Sequence, residues 1–177
     1  MERVHLGSVD RHFYISGAIE DEEDYTDLID ALYTGKSNET IIIHLNSPGG
    51  RLDVTMQILN ALKVSDADVI TVADGEVASA ASLILFASQQ IAVQPYSYIM
   101  IHDGSGGNFG KLNENLKQAS FIAELTKKLY RDIYIPFLTE EEVDKVLDGK
   151  DMWLSSEEVN ERVKKTAETL KDTDEKE

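Results

Sequence analysis

A chain of 177 residues suits one domain with a sizeable core and leaves little room for a second. Its 17 basic and 33 acidic residues give a net charge of −16, which argues against nucleic-acid binding through phosphate contacts. It has no cysteine, so disulfides and thiolate zinc sites are excluded.

The opening segment 1–10, MERVHLGSVD, is short and lacks the apolar run of a signal peptide. Residues 11–17, RHFYISG, predict a strand ending at Gly17. In DEEDYTDLIDALYTG the apolar residues Tyr25, Leu28, Ile29 and Leu32 fall on one helical face, and Gly35 is the stop. ETIIIHLNSPGG follows. Its apolar run from Ile41 to Leu45 predicts a strand buried on both faces, as in a parallel sheet. LDVTMQILNALKV is helical, and DVITVA, 68–73, is a strand with Gly75 as the expected turn into the next helix. That next stretch, GEVASAASLILFA, holds the longest apolar run. It is far below the roughly 20 residues of a membrane helix. An intracellular, cytoplasmic chain without a membrane partner is expected.

QQIAV and SYIMIH predict two more strands separated by Pro95, with glycines 104, 106 and 107 after the second. The segment 111–137 is the longest helix, with an apolar stripe through Leu112, Leu116, Ala119, Ala123, Leu129 and Ile133. Thr139 with Glu142, and Ser155 with Glu158, read as capping boxes of two further helices. The polar tail 170–177 is expected to fray. Alternating strands and helices predict an α/β fold with a largely parallel sheet, in a single domain spanning 1–177.

Sites in such folds lie where strands end and helices begin. Three junctions carry unusual chemistry. In NSPGG, 46–50, two glycines after a strand permit a sharp turn and close backbone approach. Ser79 stands where a helix starts. It reads as an N-cap or as a nucleophile beside amides that lack helical partners. His102 ends an apolar strand, as a structural histidine or as a base for a serine. Such a base needs a third group. Asp151, set beside Met152, Trp153 and Leu154, is the strongest candidate. His44 reads as a satisfied sheet residue, and His5 and His12 as histidines without convergent partners. No HExxH, paired ligand spacing or P-loop occurs, so neither a metal nor a nucleotide site is expected.

In order along the chain, HLNSPGG, GEVASAAS, YIMIHDGSGG and KDMWLSSEEV together resemble the ClpP family, the proteolytic subunits of the ATP-dependent Clp protease. The resemblance covers about residues 11–165. It implies a ClpP/crotonase-like ββα spiral and serine endopeptidase activity on unfolded polypeptides. Ser79 matches the nucleophile, His102 the general base and Asp151 the orienting acid. The amides of Gly50 and Ala80 match the oxyanion hole, and Gly49, Leu52, Gly104 and Ser105 the substrate-binding positions. It further implies heptameric rings stacked in pairs, with the 111–136 helix between rings. No cofactor belongs to the chain itself, and ATP enters only through a partner AAA+ unfoldase of the Clp type.

Some positions depart from the family pattern. Ala80 and Ala81 replace a methionine and a glycine, Gly104 and Ser105 a proline and a leucine, and Gly149-Lys150 an Asp-Arg pair. The short amino-terminal segment leaves little for pore loops. Two other readings follow: an inactive or regulatory ring-forming subunit, and a crotonase-type acyl-CoA hydratase or isomerase.

Overall fold

The computed structural model describes residues 9–104 and 111–174. Six strands form one sheet: β1 (Val9–Ser16), β2 (Glu39–Ser47), β3 (Asp68–Ala78), β4 (Gln90–Val93), β5 (Tyr98–Ile101) and β6 (Met152–Ser155). The strand order is β1-β2-β3-β5-β6, with β4 also on β3. All pairs are parallel except β5–β6. β3 is the long central strand. Its first part, Ile70–Ala73, pairs with β4 and its last part, Glu76–Ala78, with β5.

Helices α1 (Thr26–Thr34), α2 (Leu52–Val64), α3 (Ala80–Ala87), α4 (Leu112–Tyr134), α5 (Glu140–Leu147) and α6 (Ser156–Asp174) complete the chain, with a 3-10 turn at Glu22–Tyr25. α2 packs between α1 and α3, and α3 also contacts β3 and α4. α3 is apolar all round and has buried residues from Ala80 to Phe86. That is the signature of a helix surrounded by protein. Each fully buried Leu or Ile there contributes roughly 2 kcal/mol of transfer free energy.

Three expectations are corrected. β2 is buried on one face only: Ile41, Ile43 and Leu45 are buried, while Ile42 and His44 are only partly so. The outer face of the sheet carries polar and aromatic groups instead. His12 Nδ1 lies 3.0 Å from His44 Nε2, and His44 Nδ1 lies 2.5 Å from Asp74 Oδ2. His12 and His44 therefore converge, a diagonal contact across two strands that sequence spacing does not reveal. His5 lies outside the described residues.

Gly75 does not turn the chain. It lies inside β3, at a bulge where β2 advances from Leu45 to Ser47 while β3 advances from Ala73 to Val77. A Cβ at Gly75 would sit 2.6 Å from Asn46 Oδ1, the oxygen that accepts the Glu76 amide at 3.1 Å. The glycine therefore makes room for a side chain that bridges the bulge.

β6 is a strand for which the sequence offers no expectation. MWLS is too short to show a period, and its strand identity comes from pairing with β5. Both capping boxes form: Thr139 Oγ1 accepts the Glu142 amide at 3.2 Å, and Ser155 Oγ accepts the Glu158 amide at 3.3 Å. α6 runs on to Asp174, further than its polar composition suggests.

Candidate active site

The bulge lengthens β3 so that it ends under the NSPGG turn. Ser79 follows at φ 54° and ψ −126°, the one non-glycine residue with positive φ among the described residues. Such a conformation costs on the order of 1–3 kcal/mol and persists only where the surroundings enforce it. Here they do. The Ser79 amide donates to the Met100 carbonyl at 2.8 Å, and the next residue enters the buried α3. The Ser79 side chain makes no cap bond. Its hydroxyl lies 2.7 Å from His102 Nε2 instead. The N-cap alternative is thus replaced by a serine–histidine contact.

Gly49 and Gly50 complete the turn at φ 91° and 155°. A Cβ at Gly49 would meet the Ala78 carbonyl at 2.6 Å and the Ala80 nitrogen at 2.8 Å. One at Gly50 would meet the Ile19 oxygen at 2.1 Å. Only glycines let this backbone lie against the Ser79 turn. Ile19 holds it in place: its amide donates to the Gly49 carbonyl at 2.8 Å, and its carbonyl accepts the Arg51 amide at 2.7 Å. The Gly49 amide donates to Ser47 Oγ at 3.1 Å. Neither the Gly50 amide nor the Ala80 amide has a partner among the described residues. Two donors therefore remain for an acceptor brought beside Ser79.

His102 and Asp151 are placed by the β5–β6 register. Ile101 pairs with Met152, so His102 and Asp151 are the next residues beyond that end of the ladder. The Asp151 side chain is exposed and accepts no hydrogen bond among the described residues. The structure brings Ser79 and His102 together and leaves Asp151 adjacent but unengaged.

The pair opens into a cleft of about 1150 Å³. Gly49, Leu52 and Gly104 line it, and Ile19, Met100 and Leu83 add apolar walls. α4 closes the far side through Leu116, Ala119 and Ala123. Thus the apolar stripe of that helix faces the cleft in its first half. Ser105 lies outside the described residues.

The sequence reading overlooks Tyr130, Tyr134 and the role of Ser82. Tyr130 donates to the His102 carbonyl at 2.8 Å. Ser82 Oγ donates to the Ser79 carbonyl at 2.6 Å and lies 2.7 Å from Tyr134 Oη. Ser82 therefore joins α4 to the Ser79 turn. Burial, with Asp103 nearby, pushes the Tyr130 hydroxyl up to about 12, and burial raises that of Tyr134. Both stay protonated donors. The available signal was their i, i+4 spacing on one helical face.

A model of the Clp protease family matches residues 8–162. The chain is 32% identical over 129 residues to an ATP-dependent Clp protease proteolytic subunit 1 of Salinibacter ruber, covering 71% of this chain and 54% of that protein. An ATP-dependent Clp protease proteolytic subunit of Bacteroides thetaiotaomicron is 31% identical over 137 residues, covering 75% and 60%. One from Bacteroides fragilis is 32% identical, covering 75% and 64%. The chain belongs to the Clp protease family. The matched part spans between half and two thirds of these relatives' own length.

Proposed function

We propose that the chain is a serine endopeptidase that cleaves unfolded polypeptides. The observation that carries this reading is the 2.7 Å contact between Ser79 Oγ and His102 Nε2, on a strained turn flanked by two unpartnered amides. In this reading Ser79 Oγ attacks the peptide carbonyl carbon as His102 Nε2 takes the hydroxyl proton. The amides of Gly50 and Ala80 hold the oxyanion that forms. His102 then protonates the leaving amine, and water hydrolyses the acyl-enzyme with the same histidine as base. In this reading Asp151, beside His102 beyond the β5–β6 ladder, has to turn onto the imidazole to hold its tautomer. This chemistry needs neither a metal nor a cofactor of the chain's own.

Stacked heptameric rings belong to the same proposal. Phe121 on α4 is an exposed apolar side chain outside the cleft, and a ring-to-ring contact gives it cover. A Clp-type AAA+ unfoldase is the proposed source of substrate and of ATP hydrolysis. Among the described residues no helix is long and apolar enough to cross a membrane.

The unengaged Asp151 favours a second reading, a ring-forming subunit that is inactive alone and serves an active partner. Purified protein assayed on a fluorogenic short peptide, with its native mass measured in parallel, separates the two. Cleavage lost in Ser79→Ala, with Ser79 labelled by a fluorophosphonate, supports the peptidase. A stable ring with no turnover and no labelling supports the inactive subunit. Crotonase-type chemistry requires no serine–histidine contact and is not favoured by the family match.

A further inference from the structure

We propose that Tyr130 and Tyr134 are positioning residues through which α4 aims the nucleophile turn and the base. The proposal rests on the peptidase reading above. The two tyrosines are one helical turn apart, almost fully buried, and in edge contact at 5.2 Å between ring centres. Each ends on the backbone carbonyl of one candidate catalytic residue. Tyr130 reaches the His102 carbonyl directly. Tyr134 reaches the Ser79 carbonyl through Ser82.

The proton count fixes the direction of that relay. A carbonyl cannot donate, so the 2.6 Å contact uses the single hydroxyl proton of Ser82. The Ser82 oxygen is then the acceptor for Tyr134, and Tyr134 donates. Both chains of bonds therefore run from α4 toward the site. The Ser79 carbonyl also accepts the Ser82 amide at 2.9 Å, so it is held by two donors from α3.

That anchoring has a consequence for the oxyanion donor. The Ser79–Ala80 peptide is planar and trans, so its N–H points opposite to its C=O. Pulling the carbonyl into α3 turns the Ala80 N–H the other way, toward the space beside Ser79 Oγ. Tyr134 thus acts on the Ala80 amide through a rigid peptide plane. Tyr130 acts on the His102–Asp103 peptide in the same manner and sets the backbone from which the imidazole leaves. The two residues hold the two halves of the reaction, oxyanion and proton transfer, from one helix. The same helix lines the cleft.

Full-length Tyr134→Phe and Ser82→Ala, and their double variant, test the relay by steady-state peptide cleavage. Both singles are expected to lower kcat by roughly tenfold with KM within twofold, a part of the 10²–10³-fold effect of losing one oxyanion donor. The double variant is expected to lose no more than either single, because one relay is broken twice. Tyr130→Phe is expected to lower kcat and move the acid limb of its pH profile, which loosened packing would not do. Thermal melts check that every variant folds. Kinetics like wild type in Tyr134→Phe and Tyr130→Phe, or fully multiplicative losses in the double, overturn the clamp while the peptidase reading stands. A wild-type chain that neither cleaves peptide nor reacts with fluorophosphonate overturns that reading and the clamp with it.

Discussion

Two histidines on one sheet show what makes a site. His44, on the outer face of β2, is the better bonded: Asp74 lies 2.5 Å from one ring nitrogen, His12 lies 3.0 Å from the other, and Tyr14 stacks on it at 4.7 Å. His102 contacts Ser79 through Nε2, and Asp151 makes no hydrogen bond among the described residues. Yet His44 stands mid-strand, where the ladder uses the backbone amides, and among the described residues no hydroxyl is hydrogen-bonded to it. His102 stands just past a strand end, beside a strained serine, a cleft and two amides that have no partner among the described residues. The environment at the strand end, rather than the number of bonds to the imidazole, distinguishes the two.

The largest expected effect is Ser79→Ala, which should cut peptide cleavage by roughly 10⁴-fold or more, as removal of a triad nucleophile does. Retained activity would remove the distinction between the two histidines. Next comes Gly49→Ala. Its Cβ has no space and its φ is left-handed, so unfolding should come about 3 kcal/mol easier and kcat should fall at least 10²-fold as Gly50 moves. Denaturant titration and kinetics measure both. Asp151→Asn follows, with kcat expected to drop on the order of 10²-fold. An unchanged rate would mean that the acid arm is idle and that Ser79 and His102 act as a dyad.

The smallest effects belong to the other histidine. His44→Ala should leave kcat within twofold and cost about 1 kcal/mol or less, as for partly exposed pairs generally. A large loss of cleavage would show that the outer face reaches the site. A pH floor sharpens these tests. Hydrogen bonding and ion pairing to Arg162 hold Glu142 at about 2, below its usual 4.5. Because the folded value is depressed, that stabilisation is complete above about pH 4.5 and is lost as pH falls toward 2. Glu142→Gln should cost about 1–2 kcal/mol at neutral pH and nothing near pH 2, read from melts across pH. Activity lost above pH 5 therefore does not come from this pair.

The local features were legible. The boxes at Thr139 and Ser155 involve residues three apart, so composition alone exposes them. NSPGG, Ser79 and His102 sit at strand–helix junctions that periodicity marks. The error at Gly75 has the opposite origin. The turn expected there is a bulge, and its cause, the Asn46 side chain, lies 30 residues away. β6 depends on β5, and the convergence of His12, His44 and Asp74 depends on the register of three strands.

The α/β alternation, the caps, the glycines of the turn and the residue types available for chemistry are all readable along the chain. Each rests on contacts within a few residues or on the constraints of one backbone position. Folding is what brings the buried tyrosines to their carbonyls, leaves the Gly50 and Ala80 amides without a partner among the described residues, and sets Ser79 against His102. Those depend on register and packing between segments far apart in the chain, and a hydrogen bond fails over less than an ångström.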